Sequence, residues 1–166
     1  MATVNKNLSH YDQSTIPNAA TMRFGIVVSE WNSDITENLY KGAEQALVDN
    51  GAIADNIVRW DVPGSFELIY GATLMGERLD VDAIIVLGSI IQGETRHFEF
   101  ISQAVAQGIK DLNMQIDVPI ILGVLTDDTL QQSIDRSGGK HGNKGIECGI
   151  AAIKMAHLRS QFSDED

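Results

Sequence analysis

The chain has 166 residues, of which 43% are hydrophobic and 21% charged, so its size and composition predict one globular domain with a single core. Its formal net charge of −11 disfavours nonspecific nucleic-acid binding, which needs clustered Lys and Arg. The sequence has no apolar run near the roughly 18 residues of a membrane span and no signal-peptide pattern, which together predict a cytoplasmic protein without a membrane partner.

The first 21 residues are polar, with Ser, Thr and Asn throughout and Pro17 near their end. This composition predicts an N-terminal arm over residues 1–21 that cannot bury itself in its own domain. Two interpretations stay open: a flexible tail, or a segment that orders against a neighbouring subunit and adds a strand to it. The remaining chain divides into a domain over residues 22–160 and an acidic C-terminal tail over residues 161–166.

Strand and helix patterns alternate after the arm. The predicted strands span residues 23–29, 57–62, 82–91 and 119–125. The predicted helices span residues 35–50, 65–79 (capped by Ser65), 97–114, 127–136 and 145–160. Because the strands are almost continuously apolar, we expect a parallel sheet that is covered on both faces. The predicted fold class is therefore α/β: a three-layer α/β/α sandwich around a central parallel four-stranded sheet, with flavodoxin-like strand order.

The most informative segment runs from Gly88 to Glu99, where a buried strand leads into a glycine-containing loop and then a helix starting at His97. A strand–loop–helix junction offers free backbone N–H groups and the positive end of a helix dipole, which together suit an anion. His97 adds an imidazole that can exchange protons near neutral pH. Although a single histidine is more often structural, this setting favours a functional role.

The loops after the first two strands carry further candidates, since ligands of such sheets bind outside the carboxyl ends of the strands. Trp31 could stack on a flat heterocycle while Asn32 bonds its edge, or Trp31 could pack on its own domain. Ser65 and Phe66 present their amides near the strand ends. Glu67 either complements the helix dipole or accepts hydrogen bonds from substrate hydroxyls.

A glycine-rich loop over residues 137–143 is flanked by cationic side chains. Arg136, Lys140 and Lys144 could form a phosphate clamp, or they could be solvated surface charges. The lone cysteine, Cys148, fits an apolar helix face and is predicted to be a buried, unreactive thiol. The sequence has no metal-ligand spacing, no Gly-x-x-x-x-Gly-Lys-Ser/Thr loop and no Gly-x-Ser-x-Gly elbow, so we expect no metal and neither nucleotide hydrolysis nor serine esterase chemistry.

Several of these segments, taken together and in this order over about residues 22–160, closely resemble the 6,7-dimethyl-8-ribityllumazine synthase family. The segments are Trp31-Asn32, Val62-Pro-Gly-Ser-Phe-Glu67, Gly88-Ser-Ile-Ile-Gln-Gly-Glu-Thr-Arg-His-Phe-Glu99, Gly123-Val-Leu-Thr126 and Arg136 through Gly145-Ile-Glu147. The resemblance implies the penultimate step of riboflavin biosynthesis. In that step, 5-amino-6-(D-ribitylamino)uracil condenses with 3,4-dihydroxy-2-butanone 4-phosphate, phosphate and water are released, and no cofactor takes part.

The resemblance also implies a role for each matching residue. His97 would transfer protons, Trp31 would stack on the pyrimidine, and Glu67 would hold the ribityl chain. The implied substrate-binding residues are Trp31, Asn32, Ser65, Phe66, Glu67, Ser89, Ile90, Ile91, Leu122 and Lys144. The implied phosphate-binding residues are Glu94, Thr95 and Arg136. The chain departs from the usual family pattern at four positions, with Trp31 and Leu122 in place of phenylalanine, Ile69 in place of proline and Asp127 in place of a second threonine.

The resemblance further implies a pentamer with active sites shared between adjacent subunits, to which the neighbour supplies Leu122 and residues 136–147. The compact loop over residues 138–144 is similar to that of members whose pentamers assemble into a 60-subunit icosahedral shell, so a shell is predicted. Association with riboflavin synthase is a further implied partnership. The competing hypothesis is a non-catalytic flavin- or lumazine-binding shell protein on the same scaffold.

Overall fold

The computed structural model describes residues 6–162 of the chain. Four parallel strands form one sheet in the order β2-β1-β3-β4. The strands are β1 (Phe24–Ser29), β2 (Ile57–Val62), β3 (Ala83–Ile91) and β4 (Ile120–Asp127). The helices are α1 (Ser33–Asp49), α2 (Leu68–Arg78), α3 (His97–Gln115), α4 (Leu130–Arg136) and α5 (Lys144–Ser160). The predicted α/β class and its central parallel four-stranded sheet are confirmed.

Side chains of the central strands alternate between two apolar cores, one on each face of the sheet. In β1, Ile26 packs with the core beneath α1 and α5, whereas Val27 packs with the core beneath α2 and α3. Both side chains are fully buried because helices cover both faces of the sheet. This arrangement is the predicted three-layer sandwich, and it directs the carboxyl ends of all four strands toward one edge.

The second helix begins at Leu68, not at Ser65 as predicted, and no side chain caps it. Residues 65–67 form a turn in which the Leu68 amide donates to the Ser65 carbonyl over 3.3 Å. The Ser65 side chain packs instead beneath the end of β3, where a Cβ added to Gly88 would lie 2.6 Å from its Oγ. The prediction that Ser65 caps the helix was therefore wrong, because the helix begins three residues later and the Ser65 side chain packs against β3.

The boundaries around α4 also differ from the predictions. Strand β4 continues to Asp127, since its last residues pair with the end of β3 at Ile91. The Thr129 side chain then accepts a hydrogen bond from the Gln132 amide, and the helix begins at Leu130 instead of residue 127.

The glycine-rich segment predicted as a loop is a small antiparallel hairpin of β5 (Ser137–Gly139) and β6 (Gly142–Asn143). Part of the N-terminal arm lies against it: the Leu8 amide donates to the His141 carbonyl over 2.8 Å, and the Asn143 amide donates to Ser9 Oγ over 2.9 Å.

Farther along the arm, Ala19 is fully buried, and its amide donates to the Asn50 carbonyl over 2.9 Å. Ala19 is thus an exception to the prediction that the arm cannot bury itself in its own domain, whereas the other residues of 6–21 are exposed or only partly buried. Residues 1–5 of the predicted arm and residues 163–166 of the predicted acidic tail lie outside the described residues. Within residues 6–162, no helix is long and apolar enough to cross a membrane.

Candidate active site

An open cleft of about 720 Å³ lies at the carboxyl ends of β1, β2 and β3. Most of the residues that the sequence singled out surround it, although they come from four separate stretches of the chain. The predicted residues that line the cleft are Trp31, Asn32, Ser65, Phe66, Glu67, Ser89, Ile90, Ile91, Thr95 and His97.

The loop after β1 supplies an exposed aromatic ring and a strained asparagine. Trp31 is 71% exposed, so it does not pack in the core of its own domain and one face of its indole is open to a ligand. Asn32 adopts the left-handed conformation (φ 58°, ψ 48°), which asparagine tolerates better than most residues. Its Nδ2 donates to the Ser89 carbonyl over 2.9 Å and so ties this loop to the end of β3.

The turn after β2 supplies a second aromatic ring and a carboxylate. The Trp31 amide donates to the Pro63 carbonyl over 3.2 Å, which holds this turn beside the loop after β1. Phe66 is 50% exposed within the cleft, whereas Ser65 is buried. Glu67 is the residue immediately before α2, and its side chain makes no capping hydrogen bond, so the carboxylate is not used as a helix cap.

The end of β3 forms the floor of the cleft, and His97 stands at its rim as the first residue of α3. The His97 amide donates to Thr95 Oγ1 over 3.3 Å, so the threonine hydroxyl occupies one of the free amides at the helix start. Within residues 6–162, the ring nitrogens of His97 make no hydrogen bond, which leaves both available to a substrate.

The loop between β3 and α3 has the features of an anion site. The Gln92 side chain donates to the Gly93 carbonyl over 2.8 Å, while the Gln92 amide donates to the Asp127 carbonyl over 2.9 Å. In the described part of the chain, the backbone N–H groups of Glu94 and Thr95 donate to no protein acceptor. Free amides next to a helix start suit a phosphate.

Four predicted site residues do not line the cleft: Glu94, Leu122, Arg136 and Lys144. Leu122 lies in β4 and lines a separate groove of about 270 Å³ between β4 and α3. Arg136 ends α4, and its Nη1 donates to the Gln132 carbonyl over 3.1 Å. Leu122 therefore faces a different groove of the same subunit, Arg136 and Lys144 lie outside the cleft lining, and Glu94 belongs to the loop between the lining residues Gly93 and Thr95.

Lys144 begins α5 and forms an ion pair with Glu147, the Nζ–Oε1 distance being 2.7 Å. Burial by itself would lower the pKa of Lys144, but the Glu147 carboxylate outweighs it and raises the pKa above its ordinary value. Burial likewise works to raise the pKa of Glu147, and Lys144 reverses this so that the pKa is lowered. Lys144 is thus a charged, oriented group, and the alternative of a freely solvated lysine is wrong.

Several cleft-lining residues were not predicted as site residues. Phe98 and Ile101 belong to the apolar spacing that predicts α3, and both line the cleft and are only partly buried. Their helical spacing could not distinguish a core face from a ligand face, since both are apolar. Leu130 is 55% exposed and comes from α4, and no signal in the sequence placed it near the other loops. The remaining unpredicted members, Gly64 and Gly93, contribute backbone alone.

Among residues 6–162, no three or more His, Cys, Asp and Glu side chains are grouped so that they could hold a metal ion. The cleft instead combines exposed aromatic rings, a carboxylate, an imidazole and free amides.

Residues 21–160 match the family model described as 6,7-dimethyl-8-ribityllumazine synthase. The chain belongs to this family. A 6,7-dimethyl-8-ribityllumazine synthase from Flavobacterium johnsoniae is 65% identical over 163 residues, which cover 98% of this chain and 86% of the relative. A protein of the same name from Flavobacterium psychrophilum is 64% identical, over 97% of this chain and 85% of the relative. Another from Christiangramia forsetii is 61% identical, over 96% of this chain and 95% of the relative.

The 6,7-dimethyl-8-ribityllumazine synthase family is the one that the sequence motifs indicated, so that prediction is confirmed. The competing hypothesis of a non-catalytic shell protein is not favoured, because the relatives with 61–65% identity are all named as synthases.

Proposed function

We propose that this protein is a transferase that condenses 5-amino-6-(D-ribitylamino)uracil with 3,4-dihydroxy-2-butanone 4-phosphate. The products are 6,7-dimethyl-8-ribityllumazine, phosphate and water, and the reaction is the penultimate step of riboflavin biosynthesis. Imine formation, phosphate elimination and ring closure need proton transfers and held reactants, and they need no strong nucleophile. The side chains of the cleft are of the types that this chemistry requires.

The observation that carries the proposal is the convergence on one cleft of an exposed indole, an imidazole with free ring nitrogens and a loop with free amides. On the pyrimidine side, Trp31 and Phe66 offer apolar ring faces, and the backbone of β3 offers hydrogen bonds to a heterocycle edge. We assign Glu67 to the ribityl hydroxyls, since its carboxylate is not used in capping α2.

On the phosphate side, Glu94 and Thr95 offer their backbone amides and Thr95 its hydroxyl. His97 adjoins this loop at the start of α3 and is assigned to proton transfer between the two substrates. The phosphate leaves from C4, and its elimination requires removal of the proton on C3, which lies between C4 and the reacting C2 carbonyl. A base placed beside the phosphate loop is well situated to take that proton.

We also propose that the protein is a ring of five subunits in which Leu122, Arg136 and Lys144 complete the cleft of the adjacent subunit. Their position outside the cleft of their own subunit supports this arrangement, since a phosphate site needs cations and the described cleft lining has no Lys or Arg. The 60-subunit shell, association with riboflavin synthase and cytoplasmic location remain part of the same proposal. Sedimentation and light scattering distinguish a shell from free pentamers.

The reaction is tested by mixing both substrates with the protein and following lumazine absorbance and fluorescence. We expect His97→Ala to slow turnover by about ten- to a thousandfold, because general acid–base catalysis is lost while substrate positioning remains. His157→Ala, an exposed histidine on α5, is the matched control and should leave the rate unchanged. A wild-type rate equal to the uncatalysed background would contradict the proposal.

A further inference from the structure

Asp127 is a buried carboxylate whose partners connect several parts of the molecule. Its side chain is 8% exposed, and a carboxylate removed from water must be compensated by hydrogen bonds or opposite charge. Oδ2 accepts a hydrogen bond from Ser133 Oγ over 2.8 Å, and Oδ1 lies 3.8 Å from Nε of Arg136. The carboxylate therefore joins the end of β4 to both the middle and the end of α4.

Arg136 is held at two points. Its Nε faces the Asp127 carboxylate, and its Nη1 donates to the Gln132 carbonyl over 3.1 Å. Within the described residues, Nη2 makes no hydrogen bond, and 30% of the side chain is exposed. One hydrogen bond through Nη1 and an ion-pair contact at Nε restrict the guanidinium and leave Nη2 for an external anion.

The carboxylate is itself held by the sheet. The Asp127 carbonyl accepts a hydrogen bond from the Gln92 amide over 2.9 Å, and Asp127 pairs in register with Ile91. Ser133 Oγ also lies 3.4 Å from Ser89 Oγ, below the floor of the cleft. Asp127 is thus fixed by backbone and side-chain bonds, so it can act as a rigid support for a longer, more flexible arginine side chain.

We infer that Asp127 is a positioning residue that fixes the Arg136 guanidinium for the phosphate of the butanone substrate. This inference rests on the proposed function and extends it from the phosphate-binding arginine to the residue that orients it. Preorganisation lowers the entropy cost of binding, because Arg136 need not be ordered when the phosphate arrives.

A competing electrostatic effect predicts the opposite change in KM for the phosphate substrate. A carboxylate near a phosphate site repels the phosphate, so removal of its charge would tighten phosphate binding if repulsion dominated. Loss of positioning would weaken phosphate binding instead. The direction of the change in KM for the phosphate substrate distinguishes the two effects.

The experiment is steady-state kinetics of Asp127→Asn with each substrate varied in turn. We expect KM for the butanone phosphate to rise about tenfold, while kcat and KM for the pyrimidine change less than about twofold. Asp128→Asn is the matched control: it removes the same charge one residue away on an exposed side chain and should leave both KM values unchanged. An unchanged or lower KM for the phosphate substrate in Asp127→Asn would overturn the inference.

A double-mutant cycle with Arg136→Gln tests whether Asp127 acts through the arginine. If it does, Asp127→Asn should add less than about twofold to the KM already raised by Arg136→Gln, and additive effects would contradict this. Ser133→Ala keeps the charge of Asp127 but removes the hydrogen bond that the carboxylate accepts, and it should raise KM for the phosphate substrate by about threefold. If Asp127→Asn does not fold, Ser133→Ala provides the test instead. No rise in KM for Ser133→Ala would then overturn the inference. Absence of turnover in the wild-type protein would contradict the proposed function. Normal wild-type turnover with an unchanged KM for the phosphate substrate in Asp127→Asn would contradict only this inference.

Discussion

Trp31 lies at a loop tip, with 71% of its surface exposed. The sequence left two alternatives for this ring, stacking on a ligand or packing on its own domain, and its exposure rules out the second. Burial in a core would have made the residue part of the stability of the fold. An exposed indole at the edge of a cleft contributes mainly to binding.

We therefore expect Trp31→Ala to raise KM for the pyrimidine substrate by about tenfold, since stacking of a base on an aromatic ring contributes about 1–3 kcal/mol. The thermal unfolding midpoint should stay within about 1 °C of the wild-type value, because little buried surface is lost. Trp31→Phe keeps a ring face and serves as the control, with a change in KM of less than about threefold. A large loss of thermal stability in Trp31→Ala would mean that the ring is structural.

Cys148, in contrast to the exposed Trp31, is buried. Its thiol lies 3.9 Å from the Leu122 carbonyl, and burial raises the pKa of the thiol to about 12. The predicted burial of this cysteine is confirmed. A thiol held in its neutral form is a poor nucleophile at physiological pH.

The raised pKa of Cys148 also makes stability depend on alkaline pH. Above pH 9 the thiol ionises in the unfolded chain but stays protonated in the folded one, so the unfolded state binds fewer protons and the free energy of unfolding falls as pH rises. We expect the contribution of the thiol to be complete below pH 9 and to be lost between pH 9 and about 12. Denaturant unfolding of wild type and Cys148→Ala at pH 7 to 10.5 measures this, and parallel pH profiles of the two proteins would contradict it.

Among the secondary-structure elements, the β5–β6 hairpin departs most from its prediction. Three glycines in residues 137–143 indicated a loop, yet the arm packs over the hairpin at Gly142, which has φ +83°. A Cβ there would lie 2.3 Å from Asn7 Oδ1 and 2.8 Å from the Ser9 amide. Two independent features therefore require glycine at position 142: the positive φ of its backbone and the close approach of the arm.

We expect Gly142→Ala to release the arm from the hairpin and to speed hydrogen exchange of the Leu8 amide by at least about tenfold. Gly138→Ala is the matched control, since Gly138 also has positive φ (+119°) but a Cβ there would meet only Asn143 Nδ2, at 3.9 Å. Both Gly142→Ala and Gly138→Ala place an alanine at a positive φ, but only Gly142→Ala should displace the arm. Equal exchange of Leu8 in the two variants would show that the arm does not depend on this contact.

At the scale of the whole molecule, one subunit presents the cleft on one surface and Arg136 outside it. If adjacent subunits share their sites, His97→Ala and Arg136→Gln damage different halves of each site. Mixed rings then contain sites in which an intact His97 faces an intact Arg136 from the neighbour. With random mixing of equal amounts, about a quarter of the sites are of this kind.

We therefore expect co-expression of His97→Ala and Arg136→Gln subunits to restore about a quarter of wild-type turnover, whereas each variant alone stays near its own low rate. Mixing the two proteins after separate assembly is the control, because closed rings exchange subunits slowly. No gain on co-expression would mean that His97 and Arg136 act within the same subunit or that Arg136 has no part in the site.

The sequence alone was sufficient for the layered α/β fold, because the apolar strands and the helical periodicity are local patterns that a parallel sheet must satisfy. It was also sufficient to indicate the loops around the cleft, since the carboxyl ends of parallel strands meet at one edge. Local patterns likewise identified the family from its motifs.

Only the tertiary structure decided how individual side chains are used. The same periodicity describes the core face and the ligand face of α3, so the position of Phe98 became clear only when the cleft was formed. The buried bonds of Asp127 and the contact of the arm with Gly142 join residues far apart in the chain, and no local pattern specifies them. Long-range packing determines which groups lie beside which, and it therefore settled the placement of Ser65, Asp127 and the arm.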